Sequence, residues 1–171
     1  MRRLLRRLDS KVQGRLGQYL AQCGMATLAG VVIMLSLDMV VRRGVITASL
    51  GASTFIVFVM PQGRTAEPRS IALGYVIGGV AGCLLSVAVT PLSAQMAITE
   101  HLVRTVFGAL AVGSSTFAMV LLDAEHPPAA GFALGLVLGK WTMADLGAVA
   151  MAVGLLVFAR LALGRRLVDL L

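Results

Sequence analysis

The stretch Glu125-His126-Pro127-Pro128 decides how this chain must fold. It lies between two apolar segments, and its two prolines cannot continue an ordinary helix, because proline lacks a backbone donor and clashes with the preceding turn. The residue before a proline is also pushed out of the helical region. If these segments lie in a membrane, broken backbone is tolerated only where protein buries it or where it lines a cavity. His126 therefore marks a candidate polar site inside an oily chain.

The composition is that of an integral membrane protein. Of the 171 residues, 58% are hydrophobic and only 13% are charged, whereas a soluble domain carries about 25% charged residues. The apolar runs extend over the whole chain and do not alternate, so neither a signal peptide nor a β-barrel explains them. The sequence predicts an all-α membrane protein with a single membrane domain.

Basic residues cluster at the start of the chain. Six of them fall within the first fifteen positions, which is typical of a cytoplasmic terminus. The net charge of +7 therefore indicates membrane orientation, and no nucleic-acid partner is expected. We predict a basic amphipathic cytoplasmic N-terminus over 1–18, a transmembrane domain over 19–163 and a basic cytoplasmic tail over 164–171. The expected location is the cell (inner) membrane, with multiple passes and both termini in the cytoplasm.

The apolar segments alternate in length. A spanning helix needs roughly 20 apolar residues, and four segments reach or approach that length: 19–41, 71–90, 102–122 and 142–163. Two pieces, 45–60 and 128–139, are shorter. The order long, short, long thus occurs twice, which predicts a two-fold repeat with halves 19–90 and 102–163. Short segments at corresponding positions of two halves are typical of transporter binding sites.

The short pieces either cross the membrane or re-enter on the same side. Six crossings place most basic residues in the cytoplasm, and so do four crossings with two re-entrant pieces. The two arrangements put His126 on opposite sides of the membrane. The charge distribution leaves both open.

His126 has the clearest chemistry of the candidate residues. An imidazole could bind an anion or relay a proton near physiological pH. The alternative is that residues 123–126 form a solvated loop at the end of the preceding helix. Pro127 and Pro128 suit the first turn of a new helix, and free N–H groups there would form a positive end suited to an anion.

Other candidates lie in the first short segment and in the long helix before the proline pair. The full set of candidate substrate-binding residues is His126, Pro127, Pro128, Ala129, Gly51, Ala52, Ser53, Thr54, Ser115 and Thr116. Hydroxyls and a close-approach glycine could line a polar path, although helical serine and threonine often only bond back to backbone carbonyls. No nucleophile with its base, metal cluster or phosphate loop is recognisable, so no enzyme, cofactor or metal is expected.

Small and aromatic residues predict how the helices are arranged. Glycines spaced by four, at positions 74, 78 and 82 and again at 131, 135 and 139, would let another helix approach closely, within the chain or between chains. Tyr19, Tyr75 and Trp141 each lie near a basic residue and are predicted to anchor the helices at the membrane interface.

Two stretches resemble the HPP family of integral membrane proteins. One is Gly51-Ala52-Ser53 followed by Pro68-Arg69 and Gly74, and the other is His126-Pro127-Pro128-Ala129. The resemblance covers most of 19–163 and implies four membrane helices, with His126-Pro127-Pro128 as the signature site faced by Gly51-Ala52-Ser53. Plant and cyanobacterial members are associated with nitrite transport. The family often has a histidine where this chain has Tyr75.

These observations predict a membrane transporter for a small inorganic anion such as nitrite, with the bilayer and a second copy of the chain as its partners. One alternative is a passive anion channel, whose flux would saturate poorly and ignore the proton gradient. Another is a structural or sensing module of the membrane that transports nothing.

Overall fold

The computed structural model describes residues 16–38, 44–96, 99–164 and 166–170. These residues form helices and turns, with no strand among them, which confirms the all-α prediction. The helices are α1 (Leu16–Asp38), α2 (Gly44–Val59), α3 (Pro68–Met96), α4 (Glu100–Leu121), α5 (Pro127–Leu138) and α6 (Met143–Leu163). A short 3-10 turn, Arg64–Ala66, lies between α2 and α3. Most of the predicted amphipathic segment 1–18 lies outside the described residues.

Within the described part of the chain, three helices are long and apolar enough to cross a membrane: Pro68–Val89, Glu100–Leu121 and Met143–Leu163. Three further apolar helices are shorter: Leu20–Val32, Gly44–Val59 and Pro127–Leu138. The predicted long segment 19–41 corresponds to α1, and its last residues lie outside the described chain. Three of the four expected long spans are therefore found, while the fourth span and the two-fold repeat stay predictions.

One end of the bundle, which we call the terminal face, gathers the start of α1 and the residues beyond α6. Gln22, near the start of α1, donates from Nε2 to the carbonyl of Phe58 at 3.0 Å and to that of Val168 at 2.8 Å. Arg69, in the first turn of α3, donates to the carbonyls of Leu122 and Asp123 just after α4. The ends of α2 and α4 and the starts of α1 and α3 thus meet at this face.

The opposite face gathers the other helix ends. Arg104, near the start of α4, donates to the carbonyl of Val137 at the end of α5 at 2.7 Å. Trp141, just before α6, donates to Ser86 of α3 at 2.8 Å. Successive helices therefore run in opposite directions, and the short helices α2 and α5 pass from one face to the other. This alternation is the one expected of six crossings, and the crossing of the membrane by α2 and α5 stays a prediction.

Helix α5 forms the centre of the bundle. Twelve residues make it about 18 Å long, which is less than the ~30 Å hydrocarbon core of a bilayer. Most of its side chains are buried, although Pro127 at its start and Leu138 at its end are exposed.

The glycines of α3 allow α5 to lie this close. A Cβ atom at Gly74 would lie 2.8 Å from Cβ of His126, one at Gly82 would lie 2.8 Å from the Ala133 carbonyl oxygen, and one at Gly78 would overlap the Ala129 carbonyl. In the second predicted glycine row, a Cβ at position 135 would lie 2.9 Å from a side-chain atom of α2. These close approaches are within one chain.

Candidate functional site

His126 is the residue just before α5, and its side chain is completely buried. Its backbone is non-helical, with φ −140° and ψ 89°, as expected for a residue that precedes a proline. Pro127 and Pro128 occupy the first helical positions, where their missing N–H groups cost nothing and their fixed φ suits a helix. The predicted role of the proline pair as a helix start is therefore observed.

Both ring nitrogens of His126 have partners within the protein. Nδ1 lies 2.7 Å from the carbonyl oxygen of Thr65, and because a carbonyl can only accept, Nδ1 carries the proton and donates it. When the ring is neutral, Nε2 is then an acceptor, and it lies 2.7 Å from Oγ of Ser53. The Ser53 hydroxyl therefore donates to His126, with the Ser49 carbonyl as a longer alternative acceptor at 3.1 Å.

The hydrogen-bonded chain continues from Ser53 to Tyr75. The Tyr75 hydroxyl lies 2.9 Å from Oγ of Ser53 and 3.5 Å from Oγ of Ser49. Since the Ser53 proton points to His126, the tyrosine hydroxyl donates to Ser53. We call His126, Ser53, Tyr75 and Ser49, with the Thr65 carbonyl, the histidine network. It joins α2, α3, the start of α5 and the 3-10 turn through four side chains that are each 5% exposed or less.

All residues of the histidine network lie within a region that matches a known family. A family model described as the transmembrane region of HPP proteins matches residues 13–167. The chain belongs to the HPP transmembrane family. Membership and the three candidate spans identify a multi-pass membrane protein. The resemblance noted in the two signature stretches is therefore confirmed.

A named relative of this HPP protein comes from Dictyostelium discoideum and is called a transmembrane protein. It is 30% identical over 95 residues, which make up 56% of this chain and 30% of the relative. The chain thus matches less than a third of that relative's length. No solved structure matches the chain with statistical significance.

Tyr75 is the side chain of this HPP protein's network for which sequence reasoning predicts a different place. It was predicted to anchor at the interface because it follows Arg69 closely, and that prediction is wrong: only 5% of Tyr75 is exposed. Its ring lies 5.6 Å from that of His126 and 5.5 Å from that of Phe132, measured between centroids. The signal that could have found it is its position, where HPP relatives often carry a histidine.

The remaining predicted residues are not brought together. Ala52, Thr116 and Pro127 are exposed. Thr54 and Ser115 are buried but donate to carbonyls of their own helices, Leu50 at 2.9 Å and Val112 at 3.1 Å. These two hydroxyls therefore only bond back to backbone carbonyls of their own helices.

Backbone packing accounts for three other predicted positions. Gly51 is half-buried, and Pro128 and Ala129 are buried in the first turn of α5. The Ala129 carbonyl faces Gly78 of α3. Of the ten candidates, His126 and Ser53 share a side-chain hydrogen bond, and the two large apolar grooves beside α3 are lined by none of the ten.

The prediction that free backbone N–H groups at the start of α5 form an anion site is wrong. Pro127 and Pro128 have no N–H group, and the N–H of Ala129 donates to the carbonyl of His126 at 2.9 Å. The first three helical positions therefore offer no free backbone donor. Any polar recognition must come from the side chains of the histidine network.

Apolar grooves lie beside the network, and one of them touches it at Tyr75. A groove of about 590 Å³ between α3 and α6 has Tyr75 on its wall, and a larger one of about 830 Å³ lies between α3 and α4. Both are lined almost wholly by apolar side chains, as expected of surfaces that face lipid. Among the described residues, no three His, Cys, Asp or Glu side chains meet in a group that could hold a metal.

Arg69 fixes the chain that leads into His126. Its guanidinium donates from Nη1 to the Asp123 carbonyl and from Nη2 to the Leu122 carbonyl, each at 3.0 Å. Asp123 has a positive φ of 52° and ends α4 in a left-handed turn, with a side chain that pairs with Arg64. The Ala124 N–H returns to the carbonyl of Met119 at 2.9 Å, which completes the cap.

Replacement of Arg69 by lysine should loosen this cap. An ammonium group cannot reproduce the planar fork that holds two neighbouring carbonyls. We expect a loss of about 1 kcal/mol, which corresponds to roughly 2–4 °C in thermal midpoint for a chain of this size. Thermal unfolding in detergent measures it. Arg64→Lys is the matched control, because Arg64 needs only one contact with Asp123; an equal shift in both variants would mean that the fork is not important.

Proposed function

We propose that this HPP protein transports a small inorganic anion such as nitrite, and that the transport path opens at the histidine network. The observation that carries the proposal is the position of this network. It places three side chains with hydrogen-bonding groups at the contact between the short helices α2 and α5, in the centre of an apolar bundle.

Buried polar groups inside a membrane domain are costly to keep. Each must be satisfied by a partner, and apolar side chains would fill the same space more cheaply. Polar networks at such positions therefore favour a functional role over a merely structural one. The alternation of short helices between long ones adds support, because transporter sites are often built at such places.

The donors of the network suit a singly charged oxyanion. If the His126 ring leaves the Thr65 carbonyl, then its Nδ1–H and the hydroxyls of Ser53 and Tyr75 are three neutral donors. No described carboxylate hydrogen-bonds to any of them. These groups could hold an anion by hydrogen bonds alone, without a fixed positive charge. Because the binding would then be weak, the anion could also leave the site.

A carrier is favoured over a passive channel by the closed state of the network. Every network side chain is bonded within the protein, and the helices around it are in close contact at Gly74 and Gly78. Passage of an ion would require these contacts to open and close. We propose further that the terminal face is cytoplasmic, since Arg64 and Arg69 lie there, and that the protein forms a homo-oligomer.

Uptake by liposomes tests the proposal. We expect purified protein to carry nitrite into vesicles faster than empty vesicles take it up, by a colorimetric assay of the lumen. Tyr75→Phe should lower the rate at least fivefold, because it removes one donor while the ring still packs on Phe132. Thr54→Val is the control, since the Thr54 hydroxyl bonds only to its own helix. Uptake equal to that of empty vesicles, or unchanged by Tyr75→Phe, would contradict the proposal.

A structural module is the second candidate function. It is favoured by the completeness of the network, because His126 and Ser53 leave no hydrogen-bonding group open to a ligand. In that case His126→Ala would lower stability, and wild-type vesicles would show no flux of nitrite, nitrate or similar ions. The same liposomes therefore separate the two candidates.

A further inference from the structure

Two segments meet on the terminal face, and one of them contacts His126. Residues 60–67, the loop cover, join α2 to α3, and residues 166–170, the strap, follow α6. The loop cover supplies the Thr65 carbonyl that binds Nδ1 of His126. It is folded on itself, with the Gly63 N–H bonded to the Met60 carbonyl and the Ala66 N–H bonded to the Gly63 carbonyl.

The strap is fastened to the end of α2 and to the loop cover. The Leu170 N–H donates to the carbonyl of Val59 at 2.9 Å, and the Asp169 carboxylate accepts from the N–H of Gln62 at 3.0 Å. Leu167 is also buried against the bundle, with 3% of it exposed. The sequence predicts a basic tail over 164–171, whereas residues 166–170 return to the protein.

Gln22 holds the strap from the other side. Its two N–H groups donate to the carbonyls of Phe58 and Val168, so one buried amide ties the start of α1 to the end of α2 and to the strap. The contacts form a continuous series: α1 to the strap, the strap to the loop cover, and the loop cover to His126.

We infer that the strap and the loop cover form a latch that controls access to His126 from the terminal face. On its other sides, His126 is enclosed by close-packed helices, and its Cβ faces Gly74 of α3. On the terminal face it is covered by a loop whose ties include Gln62, Arg64 and Asp169, all of them exposed. Segments held by few exposed hydrogen bonds open at lower free energy than helices packed on apolar cores. The claim that this latch gates transport rests on the proposed function. The claim that it controls access of reagents and water to His126 does not.

Release of the strap has a defined consequence for the site. Without the Asp169 contact, the loop cover loses its recorded hydrogen bond to the strap. It keeps the pair between Arg64 and Asp123, its internal turns, the bond from His126 to the Thr65 carbonyl, and the burial of Pro61 and Ala66. When the loop lifts, the Thr65 carbonyl leaves Nδ1 and the imidazole meets water. The proton on Nδ1 then becomes available to an anion.

Chemical modification of His126 measures this access. The chain has two histidines, and His101 is exposed, so a His101→Gln background leaves His126 as the single histidine target. Carbethoxylation by diethyl pyrocarbonate is followed by mass spectrometry on full-length protein in lipid nanodiscs. We expect Asp169→Ala and Leu170→Pro, which each remove one strap contact, to speed modification at least tenfold. Arg166→Ala, an exposed change on the same strap, should behave like the parent protein.

The outcomes separate a latch from general loosening. The fluorescence of Trp141, near the opposite face, should stay unchanged in every variant. Asp169 is exposed, so Asp169→Ala decides the result even where Leu170→Pro does not fold. The latch is overturned if His126 stays protected in Asp169→Ala, or if Arg166→Ala exposes it equally. Nitrite flux in the same variants is a separate readout: absence of flux from all of them counts against transport and leaves the access result intact.

Discussion

Gly78→Ala should destabilise this protein by about 3 kcal/mol or more, at the upper end of what overpacking costs. A methyl group at this position would overlap the Ala129 carbonyl oxygen and lie 3.1 Å from its carbon. Both are backbone atoms in the first turn of α5, so no side chain can rotate away. Helices α3 and α5 must separate instead, which costs packing along both.

The separation would also disturb the histidine network. His126 is the residue before α5, and its two hydrogen bonds to Thr65 and Ser53 are both 2.7 Å long. A shift of even half an ångström would weaken them. We therefore expect Gly78→Ala to lower both the thermal midpoint and any transport rate.

Neighbouring glycines supply the controls for this prediction. A methyl group at Gly79 would lie 3.4 Å from a ring carbon of Phe132, which is ordinary contact, and one at Gly113 would meet nothing within 4 Å. Thermal unfolding in detergent, followed by size-exclusion chromatography, should show a drop of roughly 6–12 °C for Gly78→Ala. The controls should move little. A midpoint shared by Gly78→Ala and Gly79→Ala would mean that α3 and α5 are not in close contact.

Much of the fold was predictable because single residues dictate it. Pro127 and Pro128 permit only a helix start, and the glycine spacing of α3 permits close contact with another helix. These two features depend on local chemistry, which the sequence carries directly. That Ser53 faces His126 was implied by the resemblance to the HPP family, and the two side chains share a hydrogen bond.

The features that the sequence did not predict depend on contacts with distant segments of the chain. A tyrosine near an arginine fits the interface as well as the interior, and only the course of α5 decides that Tyr75 is buried. Thr65 contributes its backbone carbonyl, which no side-chain pattern reveals. The sequence left open whether each short helix runs from one face of the bundle to the other, because both arrangements put most basic residues in the cytoplasm. In the structure, contacts such as that of Arg104 with the Val137 carbonyl place the end of α5 at the opposite face.

His126→Ala should be a second severe change, with an expected loss of about 2–5 kcal/mol. It removes two hydrogen bonds and leaves a cavity where the imidazole was. Ser53→Ala should destabilise the protein less than His126→Ala, because it removes a single hydroxyl. Its effect comes mainly from leaving one nitrogen of His126 without a donor. Unfolding in mixed micelles at increasing denaturant measures both losses.

The double variant tests whether the two residues act as one unit. Once His126 is gone, the Ser53 hydroxyl no longer serves it, so Ser53→Ala should cost about 1–2 kcal/mol less in the double variant than alone. Thr54→Ala combined with His126→Ala is the control, because the Thr54 hydroxyl bonds to Leu50 and the losses should add within about 0.5 kcal/mol. Additive losses for Ser53 and His126 would show that the 2.7 Å contact carries no energy, and a transport site built on that contact would lose its physical basis.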